Sequence, residues 1–446
     1  MSITLKSLMR MGSRKTAYQT FVLLIVLIVS STATWAQAAF DQIQADRYFA
    51  ATNYRLYPDT ITTPQTPPPA GKHPFYISHY GRHGSRYMGS RKAYLTPLEI
   101  LQKGYKAKKL TQLGLDLRKL LANIIHDTHG HWGDLSALGH QQNRDIARRM
   151  MQNYPEVFEG DAHIQARSTT VSRCMLSMGS ALLQLKSMNP QLQVDMDATH
   201  EDMWYLNFQD KQLRDSMMTR KAKQAFDKYC NPRKHNRRLM DLIFTDTAFV
   251  KQNIDDYWLN YYLLKTDHVQ LNTKSYDKVR LADLFTLEDL YLFWQYENVW
   301  WYICYGPSPL NGGSQPYTQR HLLRRLIQDA DSCLTLNKPG VQLRYGHDTI
   351  ILPLVCLLGL NGYDFQTEDL EEVEKHGWWV SDIIPMAANL QFVFYREHPQ
   401  DQDVIFKILL NEKEATLPIP TDIAPYYHWR DFREFYLKKL DAYEVR

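Results

Sequence analysis

The chain has 446 residues, 44% hydrophobic and 22% charged, which is ordinary for a folded globular protein and enough for one large core or two moderate ones. Its formal charge is only +4. That excludes an overall basic nucleic-acid binder, so any attraction for polyanions must come from a local patch.

The N-terminus reads as a signal peptide over residues 1–38. Lys6, Arg10, Arg14 and Lys15 precede a short apolar run, Phe21 to Val29, and Ala36-Gln37-Ala38 has the small-residue pattern of a cleavage site. The mature chain is expected to begin near Ala39 or Gln37, and loss of four cations and no acidic residue brings the formal charge to zero. The apolar run is short for a bilayer span, an uncleaved anchor being the alternative, and no later run is long enough to cross. No cysteine near the site offers a lipid anchor. The expected location is periplasmic or extracellular, with no stable membrane insertion after cleavage.

Five cysteines, Cys174, Cys230, Cys304, Cys333 and Cys356, are widely spaced and form no Cys-x-x-Cys pair. Export allows a disulfide among Cys230, Cys304 and Cys333, while the odd count leaves a free thiol. Cys356 lies in an apolar run and is expected to be buried.

Residues 40–72, with Tyr54, Tyr57 and the proline-rich run Pro64 to Pro69, read as an extended lead-in. A strand through Phe75-Tyr76-Ile77 then runs into Tyr80-Gly81-Arg82-His83-Gly84-Ser85-Arg86-Tyr87. This puts an imidazole between two guanidinium forks at a strand's carboxyl end, the edge where α/β folds bind ligands. Guanidinium forks match phosphate oxygens in pairs, and nearby cations keep the imidazole neutral and able to attack phosphorus. Gly84 leaves room for a phosphoryl group near the backbone.

Residues 91–125 carry a helical stripe of Leu110, Leu113, Leu117, Leu120, Leu121 and Ile124. Lys103, Lys106, Lys108 and Lys109 read as a solvated face, or as contacts for outlying phosphates. His126, His129 and His131 sit among glycines in a loop without metal-ligand spacing, so no metal is expected. Residues 134–154 form an amphipathic helix that stops at Pro155.

A strand through Ile164 leads into Arg167-Ser168-Thr169-Thr170-Val171-Ser172-Arg173 and a helix. Arg173 in the first helical turn would join exposed amides as a third guanidinium, while Arg167 buttresses the loop. Residues 200–335 turn mostly helical. Thr286 and Asp289 have capping-box spacing, and the stripe Phe293, Trp294, Tyr296, Trp300 and Trp301 reads as core. A strand over Val341–Leu343 reaches Gly346-His347-Asp348-Thr349, followed by a buried helix or apolar run from Ile350 to Leu360. His347 would donate to phosphoryl oxygens, and Asp348 would protonate the leaving oxygen if its pKa is raised or the medium is acidic. Strands over Leu390–Tyr395 and Val404–Leu409 and a helix over Tyr426–Leu440 complete the chain.

Arg82-His83-Gly84-x-Arg86, the Arg167-Ser168-Thr169-x-x-x-Arg173 stretch and His347-Asp348 together resemble the acid phosphatase and phytase branch of the histidine phosphatase superfamily. Ser85-Arg86-Tyr87, the Ser136-to-Phe158 stretch and Asn389 to Tyr395 are most similar to the multiple inositol polyphosphate phosphatases. Those enzymes usually carry His-Ala-Glu where this chain has His347-Asp348-Thr349, as bacterial phytases do, which leaves hydrolysis intact but opens the position of attack on the ring. The resemblance implies a phosphoglycerate-mutase-like mixed-sheet α/β domain, residues 39–199 and 336–446, with a mostly α-helical insertion over 200–335. It implies an enzyme without cofactor or metal, acting on a small phosphorylated substrate, most of all inositol polyphosphates including phytate, with an acidic optimum. His83 would be the nucleophile, Asp348 the proton donor, and Arg82, Arg86, Arg173 and His347 the phosphate ligands. A general acid phosphatase, a phosphoglycerate mutase and a silent phosphate-binding protein stay open as alternatives, the mutase against the evidence of export and the His-Asp pair.

Overall fold

The computed structural model describes residues 39–61, 63–208, 210–273 and 281–444. The expected signal peptide over 1–38 lies outside the described residues.

The strands are β1 His73–Arg82, β2 His163–Ser168, β3 Gln193–Asp197, β4 Gly340–Gly346, β5 Asn389–Arg396, β6 Ile405–Leu410, β7 Lys413–Ala415 and β8 Tyr427–His428. They form one mixed sheet in the order β3-β2-β4-β1-β5-β6-β7, with β8 on β6. The first four in that order are parallel, and β5 and β6 add antiparallel pairs. The late strand β4 inserts between β1 and β2, with Gly346 opposite Arg82 and Tyr345 opposite Ser168. Three strand ends distant in sequence therefore meet at one edge.

Alternation along β5 feeds both faces of the sheet. Leu390, Phe392 and Phe394 join the larger apolar core, and Val393 and Tyr395 join a second core with Ile164, Val341 and Leu343. The long helices are α1 Arg91–Lys106, α2 Gln112–Asp127, α3 Ala137–Asn153, α4 Ser172–Met188, α5 Arg220–Cys230, α6 Asp256–Thr273, α7 Leu287–Tyr305, α8 Arg320–Leu334, α9 Asp348–Leu358 and α10 Trp429–Glu444. Helices α3 and α4 pack together and supply residues to the second core. The larger core takes α8, α9, α10 and the helical block. At the start of α7, Thr286 and Asp289 form the expected reciprocal cap.

Several elements differ from the sequence reading. The expected helix over 91–125 is two, broken where Lys108 takes a φ of 57°. Both pack on the helical block rather than the sheet, because Leu117, Leu121 and Ile124 share a core with Ile243 and Phe244. The backbone joins there too, with Thr111 N donating to Ile243 O at 2.9 Å. Residues 40–72 are not wholly extended: Arg47–Tyr54 forms a 3-10 helix capped by Asp46. It forms because Phe49, Ala50 and Ala51 are apolar enough to bury, Phe49 lying 5.9 Å from the Trp294 ring.

No disulfide joins Cys230, Cys304 and Cys333; all five cysteines are buried free thiols. Burial pushes the Cys230 and Cys304 thiols up to about 12, consistent with small hydrophobes in the core. Among the described residues, no helix is long and apolar enough to cross a membrane.

Candidate active site

The Arg-His-Gly loop leaves β1 and is held by the two helices over the second core. Gly84 N donates to Ser177 Oγ of α4 at 3.1 Å, and Ser85 N to Gln142 Oε1 of α3 at 2.8 Å. Ser85 O accepts from both the amide and the hydroxyl of Ser136, the residue that caps α3. The helix approaches so closely that a Cβ on Gly84 would stand 2.4 Å from Gly139 O, and one on Gly139 would stand 2.2 Å from Ser85 O. The glycine at 84 thus admits α3, not only a phosphoryl group as its sequence position suggested.

His83 is buried, and its Nδ1 lies 2.9 Å from Gly84 O. A carbonyl only accepts, so Nδ1 carries the proton and Nε2 keeps its lone pair. Burial, then the charges of Arg82, Arg86 and Arg173, hold the His83 pKa well below the usual histidine range. That shift favours the neutral imidazole, the form able to attack.

Arg82 is fully buried. Its Nη1 donates to Asn53 O at 2.5 Å and Ile384 O at 2.8 Å, and its Nη2 lies 2.6 Å from Asp348 Oδ2. That last contact is an ion pair whose N–H is not aligned on the oxygen. Arg86 follows the loop with its guanidinium 5.2 Å from the Tyr54 ring centre, and Arg173 stands in the first turn of α4. Arg82 Nε and Nη2, Arg86 Nε and Arg173 Nε are buried without a hydrogen-bond acceptor from the protein. Guanidinium donors from β1, the loop and α4 in this condition suit a multivalent oxyanion.

β4 delivers the remaining pair. His347 is the N-cap residue of α9, with Nε2 3.3 Å from Thr169 Oγ1 and its ring centre 5.8 Å from that of His83. Burial and then Arg173 bring its pKa down to about 4. Asp348 opens α9. Its Oδ1 accepts from Thr349 N at 2.9 Å and its Oδ2 from Asn53 Nδ2 at 3.0 Å. Burial alone would raise its pKa, but the Arg82 charge and the Asn53 hydrogen bond prevail and hold it at about 2. The carboxyl expected to need a raised pKa is thus strongly ionised in the free protein.

The structure brings His83, Asp348, Arg82, Arg86, Arg173 and His347 to one sheet edge. Arg167 lies apart, forked on Asp195 at 2.8 Å. Sequence reasoning missed Asn53, which touches Asp348 with its side chain and Arg82 with its carbonyl. The preceding Thr52 is fully buried at φ 55° and ψ −123°, a strained conformation for a β-branched residue, and it aims Asn53 into the site.

The sequence pattern of the histidine phosphatase superfamily (branch 2) matches residues 81–411. The chain belongs to that superfamily. As a histidine phosphatase its fold is similar to solved structures of low sequence identity. The multiple inositol polyphosphate phosphatase of Bifidobacterium longum, solved with inositol hexasulfate, is 16% identical at a TM-score of 0.73, over 87% of this chain and 97% of that one. The phytase from D. castellii is 13% identical at 0.58, covering 88% and 85%, and the Hafnia alvei phytase with tartrate is 12% identical at 0.50, covering 83% and 98%. Among curated proteins no significant sequence match is found.

Proposed function

We propose that this histidine phosphatase hydrolyses phosphomonoesters through a phosphohistidine on His83, with inositol polyphosphates, phytate included, as its substrates. The observation that carries the reading is the neutral His83, its Nδ1 proton tied to Gly84 O and its Nε2 free to attack among three guanidinium groups. Attack by Nε2 forms the N–P bond as the P–O ester bond breaks. Asp348 gives its proton to the departing alkoxide oxygen. Water then attacks phosphorus, its proton passes to the Asp348 carboxylate, and phosphate leaves with His83 neutral again. Arg82, Arg86, Arg173 and His347 take the phosphoryl oxygens and stabilise their charge.

Asp348 can act as an acid only if something raises its pKa from about 2. Substrate does so. A phosphoryl group beside Arg82 shares the charge that had served Asp348 and adds negative charge next to the carboxyl, and both favour the protonated form. The acid is therefore armed by substrate in an acidic medium.

The inositol substrate is supported by the fold of the Bifidobacterium neighbour, whose structure holds inositol hexasulfate. Export to the periplasm or beyond is part of the same reading and rests on residues 1–38. So is the division into an α/β domain and a helical insertion over 200–335, supported by the absence of strands among the described residues from 203 to 334.

The test is phosphate release from inositol hexakisphosphate and an aryl phosphate near pH 5, with a chelator present and His83→Ala as control. Release from the inositol ester that disappears in the variant is expected. Aryl turnover alone would make it a general acid phosphatase, and phosphate binding without turnover would make it a silent binder.

A further inference from the structure

Arg82 is fixed by two backbone carbonyls and the Asp348 carboxylate, but Arg86 is held differently. Its Nη1 donates to Tyr87 O at 2.8 Å, and its Nε finds no acceptor among the described residues. Its guanidinium carbon stands 5.2 Å from the centre of the Tyr54 ring, and the Tyr54 hydroxyl hydrogen-bonds with it. A cavity of about 450 Å³ lies beside this contact, with Tyr54, Met88 and Gly89 in its wall, so an unheld Arg86 has room to swing away from the phosphate. The Tyr54 ring is itself backed by the helical block. Lys265 Nζ of α6 lies 5.0 Å from the ring centre and pairs with Glu297 Oε2 of α7 at 2.7 Å, both nearly fully buried. Burial opposes ionisation of Tyr54, but Arg86 and then Lys265 favour it and bring its pKa below the usual tyrosine range, as two cations beside one phenol should.

We infer that Tyr54 is a positioning residue for the reaction, its hydroxyl fixing the Arg86 guanidinium where it takes a phosphoryl oxygen. The inference rests on the reading of Arg86 as a phosphate ligand and adds to it the group that aims that ligand. An arginine side chain has many rotamers, and freezing them when substrate arrives costs affinity. A hydrogen bond formed beforehand removes part of that cost. The chemistry of the holder matters as well. A carboxylate in this place would hold Arg86 and cancel its charge, as Asp348 does for Arg82. A phenol offers a lone pair and leaves the positive charge for the substrate. Tyr54 also directly follows Asn53, which holds Asp348 and Arg82. The end of one 3-10 helix thus sets both the acid and two of the phosphate-binding arginines.

The test is a double-mutant cycle over wild type, Tyr54→Phe, Arg86→Ala and the double variant at pH 5. It is read by calorimetric binding of inorganic phosphate and, over a wider range, by kcat/KM for an aryl phosphate. Tyr54→Phe keeps the ring and its packing against Lys265 and removes only the hydroxyl. With Arg86 present it should weaken phosphate binding and lower kcat/KM about tenfold. With Arg86 gone the same change should cost less than about twofold, because the hydroxyl then has nothing to aim. Phosphate affinity and kcat/KM left unchanged in folded Tyr54→Phe, or an equal loss with and without Arg86, would overturn the inference, the second by making Tyr54 merely structural. Absence of aryl turnover in wild type, with the cycle intact in phosphate binding, would fail the hydrolase reading and support the positioning role. Absence of phosphate binding in folded wild type would overturn both.

Discussion

Arg82 Nη2 stands 2.6 Å from Asp348 Oδ2, so the group that would bind phosphate also holds the acid in its ionised form. The two roles compete, and substrate decides between them. Asp348→Asn keeps the shape and removes the proton. For an alkyl phosphate it should lower kcat about 10²- to 10³-fold, and for an aryl phosphate with a good leaving group it should cost much less. Equal losses on both esters would place Asp348 outside proton transfer.

Asn53→Ala should leave Arg82 anchored, since Arg82 uses the Asn53 backbone carbonyl. It removes the Oδ2 hydrogen bond that helps keep Asp348 ionised, a bond to a charged group worth about 1.5–3 kcal/mol. The Asp348 pKa should therefore rise, and because Asp348 acts in its protonated form, the alkaline-side limb of the pH–rate profile, where activity is lost as it ionises, should move to higher pH. A uniform loss of activity at every pH would mean that Asn53 is merely structural.

The Gly84–Gly139 contact sets where the loop lies. Gly139→Ala drives a Cβ to within 2.2 Å of Ser85 O and should cost about 1–3 kcal/mol or more, with activity falling as the loop shifts. Gly179→Ala, in the middle of α4 where a Cβ meets nothing within 4 Å, should instead stabilise by roughly 0.5–1 kcal/mol. Urea unfolding of the two variants checks this, and similar destabilisation in both would contradict the close-approach explanation.

Acid should weaken the fold in two windows. His79 and His347 are buried and neutral, with burial as the leading cause bringing their pKa values down to about 3 and about 4. Between those values and about 6.5 the unfolded chain binds protons that the folded chain refuses, so stability falls as pH drops below about 6.5. The ionised Asp348 adds stability that is present above about 3.8 and is lost as pH falls toward about 2. Urea midpoints that stay flat from pH 7 to pH 4 would contradict the first window.

Much of the site was legible because strand ends announce themselves. Arg82, His83 and Arg86 follow β1 directly, Arg173 opens the helix after β2, and His347 and Asp348 close β4, so each short motif travels with its element. Asn53 was not legible. Its partner lies 295 residues away, and the backbone of Thr52 that aims it has no counterpart in composition or periodicity. The meeting of Gly84 and Gly139 was hidden for the same reason, since only the packed helix shows why a side chain fails there. The docking of α1 and α2 on the helical block was unreadable too, because a leucine stripe states that a face is buried and not against what.

The central claim is a covalent bond to His83 Nε2, and rapid quenching tests it most directly. Protein mixed with a radiolabelled phosphomonoester and stopped in base within one turnover should carry label on His83. That label should be lost in acid, as a phosphoramidate is, and His83→Ala should carry none and turn over no substrate. Full turnover by His83→Ala, or label on another residue in wild type, would contradict it.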